Sequence, residues 1–171
     1  MKQTLFLMVG YPGSGKTTVS KIIHEQTGAE HVWADAERKH MFSEPSYTHE
    51  ENLALYAKLN SHVDKLLADG KSVIFDTNFN FYRDRQRLRD IAAKHGAQTV
   101  VIWVKTPLEL AKRRAVHFSH GRETRVFGNM PLDHFERIVG NLQEPHDDEH
   151  TIIFDGTKIN PEEVTQEINK L

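Results

Sequence analysis

The sequence predicts an α/β protein in which helices cover both faces of a five-stranded parallel sheet. Two observations carry this prediction. Five short segments are almost uninterruptedly apolar, as strands buried on both faces are, and segments with helical spacing of apolar residues separate them. In addition, a glycine-rich loop stands between the first apolar segment and the first helical one, which is typical of a strand–loop–helix unit.

The predicted elements alternate along the whole chain. The strands are predicted at Thr4–Val9, His31–Ala34, Ser72–Phe75, Thr99–Val104 and Thr151–Phe154. Helices are predicted over Lys16–Thr27, Tyr47–Asp69 and Phe81–His95, after Pro107 and from Asn160 onward. Glycines stand where the first three helices should end, at positions 28, 70 and 96. Because no repeat or linker interrupts this order, we expect one domain over residues 1–171.

Composition argues against several classes of protein. Even the longest apolar runs, such as Leu5–Val9, are too short to span a bilayer, and the chain contains no cysteine for disulfides, thiolate metal sites or nucleophilic catalysis. These features fit a reducing compartment, so we expect a cytoplasmic protein with no membrane partner. The net charge of -2 argues against a dedicated duplex-binding protein. The eleven histidines lack the repeated spacing of a structural transition-metal site.

The loop after the first strand carries the strongest chemical signal. Residues 10–17 read Gly-Tyr-Pro-Gly-Ser-Gly-Lys-Thr, a complete match to G-x-x-x-x-G-K-[ST]. Glycines let such a loop turn its amide N–H groups toward phosphate oxygens, and the following helix directs its positive end at the same anion. Lys16 is predicted to reach the β- and γ-phosphates, and the Thr17 hydroxyl to hold Mg²⁺. The predicted nucleotide-binding residues of this segment are Gly10, Pro12, Gly13, Ser14, Gly15, Lys16, Thr17 and Thr18.

Two carboxylates follow predicted strands, and parallel strands present their carboxyl ends at one edge of the sheet. Asp76 is predicted to orient Mg²⁺ or the acceptor side, although it would also suit a cap of the following turn. Asp35, with Arg38 one helical turn further on, suits phosphoryl transfer to a hydroxyl. The carboxylate would take the proton, and the guanidinium would grip an acidic part of the acceptor. The alternative is that Asp35 caps a helix and that Arg38 is an ordinary surface residue of the same helix.

Two basic segments have alternative interpretations. Lys112, Arg113, Arg114, Arg122 and Arg125 are predicted to belong to a mobile segment that closes over the triphosphate; the alternative is a solvated helix face with a positive loop. The arginines at positions 83, 85, 87 and 89 are interleaved with aspartates. They are predicted to form a helix surface, with guidance of an anionic substrate as the alternative.

Together these residues resemble the small P-loop kinases, most closely the kinase domain of the phage-type polynucleotide 5′-hydroxyl kinase and its AAA-labelled relatives. The matching pieces are residues 10–17, Asp35 with Arg38, Asp76-Thr77-Asn78, and Leu-Ala-Lys-Arg-Arg at 110–114. The resemblance implies a three-layer P-loop NTPase fold of the nucleoside-monophosphate-kinase type, with a short lid over about residues 113–131. It also implies ATP and Mg²⁺ as cofactors.

The resemblance further implies roles for single residues. Lys16, Asp35, Arg38, Asp76 and Arg122 are the implied catalytic residues, with Asp35 as the general base, Arg38 on an acceptor phosphate and Arg122 as the lid arginine. The segment Asp155-Gly156-Thr157-Lys158 is similar to the adenine-side loop of adenylate kinases. Gly156 and Thr157 are therefore expected at the adenine, with Arg113 stacked on it.

The acceptor stays open between a 5′-hydroxyl polynucleotide and an anionic small molecule. A different class of function is a switch module that binds or hydrolyses ATP without transferring phosphate. Such a module would need the phosphate-binding loop but not the pair formed by Asp35 and Arg38.

Overall fold

The structure is a computed structural model that describes residues 2–78, 81–117 and 126–171. The strands are β1 (Thr4–Val9), β2 (Glu30–Trp33), β3 (Val73–Asp76), β4 (Gln98–Lys105) and β5 (Thr151–Asp155). They form one parallel sheet in the order β2-β3-β1-β4-β5. The predicted five-stranded parallel sheet is confirmed, and each predicted strand bound differs from the observed one by at most one residue.

Helices connect the strands. They are α1 (Lys16–Thr27), α2 (Ala34–Met41), α3 (His49–Ala68), α4 (Tyr82–Lys94), α5 (Leu108–Lys112), α6 (Leu132–Gly140) and α7 (Pro161–Ile168). A π-helical turn, Arg113–His117, continues α5. The short α2 and α6 were not predicted as separate elements. No helix in the described ranges has both the length and the apolar character needed to cross a membrane.

Side chains of β1 alternate between two hydrophobic cores, one on each face of the sheet. Leu5, Leu7 and Val9 face the core that α3 and α4 complete, whereas Phe6 and Met8 face the core completed by α1 and α7. All residues of β1 are buried, because it is the central strand and helices cover both faces. The three layers place every strand-to-helix connection at one edge of the sheet.

One connection at this edge contains no loop residue. Strand β2 ends at Trp33 and α2 begins at Ala34, and Trp33 pairs in register with Asp76 at the end of β3. Asp35 therefore lies in the first turn of α2, close to the end of β3. The cap position belongs to Trp33, which forms no side-chain cap hydrogen bond, so Asp35 is not the helix cap.

The arginine run of α4 is not a uniform surface, which corrects the prediction. Arg85 is completely buried and forms two hydrogen bonds with the Glu149 carboxylate, at 2.7 and 2.8 Å. It also donates to the carbonyl oxygens of Gln143 and Glu144. This buried ion pair fastens α4 to the segment between α6 and β5.

Candidate active site

The loop between β1 and α1 binds the side chain of Lys16, the first residue of α1. Lys16 Nζ donates to the carbonyl oxygens of Gly10 and Tyr11, both at 2.9 Å. The cap residue of α1, Gly15, forms no side-chain hydrogen bond, and the first residues of the helix line a cavity. Because the first amides of a helix have no intrahelical partner, this end of α1 suits an anion.

This cavity, which we name the loop cavity, has a volume of about 320 Å³. Its walls are the loop after β1, the ends of β2 and β3, and the turn after β5. The predicted site residues that line it are Pro12, Gly13, Gly15, Lys16, Thr17, Thr18, Asp35, Asp76, Gly156 and Thr157. Side chains predicted for the phosphates, for Mg²⁺ and for proton abstraction thus surround one space.

Two predicted nucleotide-binding residues, Gly10 and Ser14, are not among the residues that line the loop cavity. The Gly10 carbonyl oxygen is turned to Lys16 Nζ. Ser14 is fully buried, and its carbonyl oxygen accepts a hydrogen bond from Thr106 Oγ1 at 2.9 Å. Both residues therefore support the loop without lining the cavity.

The turn after β5 packs directly against this loop. The Gly156 N–H donates to the Lys105 carbonyl oxygen at 2.7 Å. A Cβ atom on Gly156 would lie 2.0 Å from Thr106 Oγ1 and 2.2 Å from the Ser14 carbonyl oxygen. Only glycine allows this close approach of two backbones.

We expect Gly156→Ala to lower the free energy of unfolding by about 1–3 kcal/mol, because the added methyl group must push two backbone segments apart. ATP affinity should fall as well, since the displaced segments both line the loop cavity. Urea unfolding and calorimetric titration measure the two effects. Gly140→Ala is the matched control, because its Cβ would meet nothing within 4 Å. Equal stability of the two variants would contradict the close packing.

Arg114, and not Arg113, reaches the loop cavity. Arg114 lines the cavity and donates to the Gly156 carbonyl oxygen at 2.7 Å, whereas Arg113 is exposed and lines neither this cavity nor the one described below. Successive residues of a helical turn point in different directions, so only one of the two can face the cavity. The structure therefore does not bring the predicted base-stacking residue Arg113 to the loop cavity, where its neighbour Arg114 lies instead, and stacking on a base stays a prediction. Arg122 and Arg125 lie outside the described residues, so the lid arginine stays a prediction.

Asp76 is held in place by a histidine of β2, whose ring is in turn stacked on a tryptophan. His31 Nε2 donates to Asp76 Oδ2 at 3.0 Å, and the ring of His31 stacks on Trp33 at a centroid distance of 5.8 Å. Asp76 is only 2% exposed, yet it lines the loop cavity. One carboxylate oxygen is thus bound to histidine, and the group has a fixed orientation at the edge of the sheet.

The residues of the loop cavity fit a magnesium ion. Thr17 offers a hydroxyl and Asp76 a carboxylate, and Mg²⁺ prefers such oxygen ligands together with water and phosphate. Within the described ranges, no group of three or more histidine, aspartate or glutamate side chains could hold a metal ion by itself. An ion at this place would therefore depend on phosphate oxygens as further ligands.

A second and larger cavity, the helical cavity, lies beside the loop cavity. Its volume is about 600 Å³, and residues from four helices form most of its walls. Helix α3 contributes His49, Asn52, Leu53, Tyr56 and Asn60, and α6 with the residue after it contributes His134, Arg137, Ile138 and Asn141. Helix α4 contributes Arg83, Asp84 and Arg87, and α2 contributes Ala34, Asp35 and Arg38. Asp35 and Asn78 line both cavities, so the Asp35 carboxylate stands where they meet.

Arg38 lines the helical cavity, but its charge is already paired. Its guanidinium donates to Glu51 Oε1 and to Asn52 Oδ1, the latter at 2.6 Å. Burial alone would raise the pKa of Glu51, but hydrogen bonds from Ser46 and Arg38 hold this pKa below its ordinary value. Glu51 therefore stays ionised, and the pair joins α2 to α3.

Tyr47 connects several walls of the helical cavity. Its ring lies under the Arg38 guanidinium, at 4.6 Å from the centroid, and contacts His134 of α6 at a centroid distance of 4.6 Å. Its φ of 55° is the one positive value recorded for a non-glycine residue in the described part of the chain. An aromatic residue adopts this conformation only where its surroundings enforce it, and such residues cluster at functional sites.

Both tyrosines of the helical cavity remain protonated near neutral pH. Burial, followed by the negative charge of Asp35, raises the pKa of Tyr47. Burial raises the pKa of Tyr56 to about 12, and the charges of Asp35 and Asp84 act in the same direction. These phenols can therefore donate hydrogen bonds but do not abstract protons near neutral pH, whereas the Asp35 carboxylate lines both cavities.

Sequence reasoning missed most of the helical cavity. Trp33, Met130 and Ile159 of the loop cavity were not predicted either. The missed residues of α3 and α6 recur at spacings of three and four residues, which is also the spacing of ordinary core and surface faces. The one usable signal was the run of arginines on α4.

Comparisons with known proteins agree on the fold. A family model described as AAA domain matches residues 5–145. The structure is similar to a sugar kinase from Janibacter sp., with 22% identity, a TM-score of 0.70 and coverage of 99% of this chain and 94% of that one. Among curated proteins, none matches the chain.

Two further similar structures contain nucleotides. The Mycobacterium tuberculosis APS kinase CysC, in complex with AMPPNP and APS, has 19% identity and a TM-score of 0.66 over 99% of this chain and 96% of that one. Chaetomium thermophilum Kti12, in complex with ADP-AlF3, has 19% identity and a TM-score of 0.71 over 97% of each chain. At these identities the likeness shows the fold alone. The narrower resemblance to polynucleotide 5′-hydroxyl kinases is not confirmed and stays a prediction.

Proposed function

This chain belongs to the AAA domain family, and from its two joined cavities we propose that it transfers the γ-phosphoryl group of ATP to a hydroxyl group of an acceptor. The observation that carries the proposal is the position of Asp35, which lines both the loop cavity and the helical cavity. An anion site on one side of a carboxylate and a second cavity on the other side suit a donor and an acceptor. Solved kinases with the same fold add support.

In the proposed reaction, the acceptor hydroxyl lies in the helical cavity beside Asp35. Its oxygen attacks the γ-phosphorus of ATP, the bond between this phosphorus and the bridging oxygen breaks, and ADP leaves. The Asp35 carboxylate takes the proton of the hydroxyl. Both neighbouring tyrosines have raised pKa values, which supports the choice of Asp35 as the base.

Lys16 and Arg114 would bind the negative charge of the nucleotide. Lys16 Nζ would exchange the carbonyl oxygens of Gly10 and Tyr11 for phosphate oxygens, which are stronger partners of an ammonium group. Thr17 and Asp76 would hold Mg²⁺, which neutralises charge on the phosphates when it is bound. Arg114 is bound to the turn at Gly156 and lines the same cavity, where it would face the nucleotide.

We expect Lys16→Ala to weaken ATP binding about 10- to 100-fold, because a charge-assisted hydrogen bond to phosphate is lost. Calorimetric titration with AMPPNP and Mg²⁺ measures the affinity. Lys21→Ala removes the same charge from α1 at a position outside both cavities, and it serves as the control. Equal affinities of the two variants would count against the loop cavity as the nucleotide site.

The proposed activity is tested by transfer of labelled γ-phosphate from ATP to a panel of hydroxyl compounds. The panel pairs each anionic compound with an uncharged relative: gluconate with glucose, glycerol phosphate with glycerol, and nucleoside monophosphates with nucleosides. A 5′-hydroxyl oligonucleotide is added as the polymer candidate. Transfer to at least one member, absent in Lys16→Ala, supports the proposal. Slow hydrolysis of ATP that no acceptor stimulates contradicts it and favours a switch module.

A further inference from the structure

We infer that Arg87 and Arg137 bind an anionic group of the acceptor in the helical cavity, and that Arg38 does not. The inference deepens the proposed function. It rests on that function only in identifying the bound anion as the acceptor of the phosphoryl group. It assigns the substrate to the class of small anions that carry a hydroxyl at the end remote from their charge.

The arginines of the helical cavity differ in whether a carboxylate lies close enough to pair with them. Arg38 is bound to the ionised Glu51, and Arg83 Nε lies 3.9 Å from the Asp84 carboxylate. Neither Arg87 nor Arg137 has a carboxylate within 4 Å among the residues that the structure describes. Within the described part of the chain, these two guanidinium groups of the cavity therefore have no carboxylate partner, and both side chains are exposed.

The one recorded polar partner of Arg137 does not neutralise its charge. Arg137 Nη2 donates to His134 Nδ1 at 2.6 Å, so this nitrogen is unprotonated. Burial, followed by the positive charges of Arg137 and Arg38, lowers the pKa of His134. The histidine is consequently neutral near pH 7, and its ring fixes the direction of the Arg137 side chain.

The walls that carry the two arginines are fastened to each other. Arg85 of α4 donates to the carbonyl oxygens of Gln143 and Glu144, just beyond α6, at 3.0 and 3.2 Å. The Tyr82 N–H donates to Gln143 Oε1 at 2.7 Å. These contacts hold α4 beside the end of α6, with Arg87 and Arg137 on the faces that line the same cavity.

The distribution of charge sets the orientation of the acceptor. Asp35 lines both cavities, whereas Arg87 and Arg137 line only the helical cavity. An anion placed at the Asp35 carboxylate would be repelled, and one placed at the two arginines would be attracted and could accept bidentate hydrogen bonds. The hydroxyl then points to Asp35 and the anionic group to α4 and α6.

The inference is tested first by binding, without turnover. Labelled inorganic phosphate is dialysed to equilibrium against protein saturated with AMPPNP and Mg²⁺, which fill the loop cavity. We expect one phosphate site that the double variant R87Q/R137Q weakens at least about tenfold, since two charge-assisted contacts are lost. R87K/R137K retains the charge and should recover part of the affinity. K94Q, which removes a charge from α4 outside the cavity, is the control.

The second readout is acceptor preference. For an anionic compound that accepts phosphate, we expect R87Q/R137Q to raise KM at least about tenfold with little change in kcat, because the lost contacts bind substrate and transition state alike. The preference over its uncharged relative should shrink accordingly.

The outcomes separate the two proposals. If phosphate binding is lost in R87Q/R137Q but no acceptor is phosphorylated, the proposed function fails and the anion site stands. If transfer occurs and the preference for anions survives in R87Q/R137Q, the inference is overturned and the function stands. Absence of any phosphate site in the native protein also overturns the inference.

Discussion

Replacing Asp35 by asparagine is expected to lower phosphoryl transfer about 10²- to 10⁴-fold, because the amide cannot accept the proton of the attacking hydroxyl. ATP affinity should change little, since the proposed contacts to the nucleotide come from other residues, chiefly the loop after β1 and the start of α1. The substitution preserves the shape of the side chain, so neither cavity needs to change. Initial rates with the best acceptor of the panel, and titration with AMPPNP, measure the two quantities.

The control for Asp35→Asn is Glu37→Gln. Glu37 is on the same helix, pairs with Lys58 and lines neither cavity, so its substitution removes one carboxylate without touching the site. We expect transfer close to the native rate in this variant. If Asp35→Asn retains transfer within about threefold of the native rate, the assignment of the base is wrong.

Glu149→Ala is expected to be the most destabilising substitution considered, with a loss of about 3–5 kcal/mol in the free energy of unfolding. Arg85 and Glu149 are both 0% exposed at their side chains, so the substitution leaves a guanidinium charge buried without its partner. A loss of this size is a large part of the stability of an ordinary domain. Urea unfolding followed by circular dichroism measures it.

A neighbouring pair provides the control for the buried ion pair. Asp148 pairs with Arg89 at 2.7 Å, but its side chain is 50% exposed. Asp148→Ala should cost at most about 1 kcal/mol, as exposed ion pairs do. R85M/E149L replaces both buried charges and should be more stable than Glu149→Ala, because no unpaired charge remains. A loss of the same size in Asp148→Ala and Glu149→Ala would contradict the explanation by burial.

The sheet and the loop cavity could be predicted because their signals are local. A mostly apolar run such as Thr4–Val9 is enough to predict a buried strand. The glycines, Lys16 and Thr17 are recognised by the fixed spacing that phosphate binding requires. Asp35 and Asp76 follow strands, so the parallel sheet itself brings them to one edge. These inferences need no knowledge of how distant helices pack.

The helical cavity could not be predicted because it forms only when four helices meet. Whether Arg38 binds a ligand depends on Glu51, thirteen positions away, which neutralises it. Whether Arg85 lies at the surface depends on Glu149 across the fold, and Arg114 differs from Arg113 only in its direction on one helical turn. Charge partners and side-chain directions of this kind are tertiary facts.

The missing loop between β2 and α2 has a mechanical consequence. Trp33 is hydrogen-bonded into the sheet, and the helix that carries Asp35 starts at the next residue, so the proposed base moves only as far as the sheet itself moves. A ligand therefore has to be carried to a stationary carboxylate. Acceptors of different size must therefore be accommodated at the other walls of the helical cavity, while the proposed proton acceptor keeps its position.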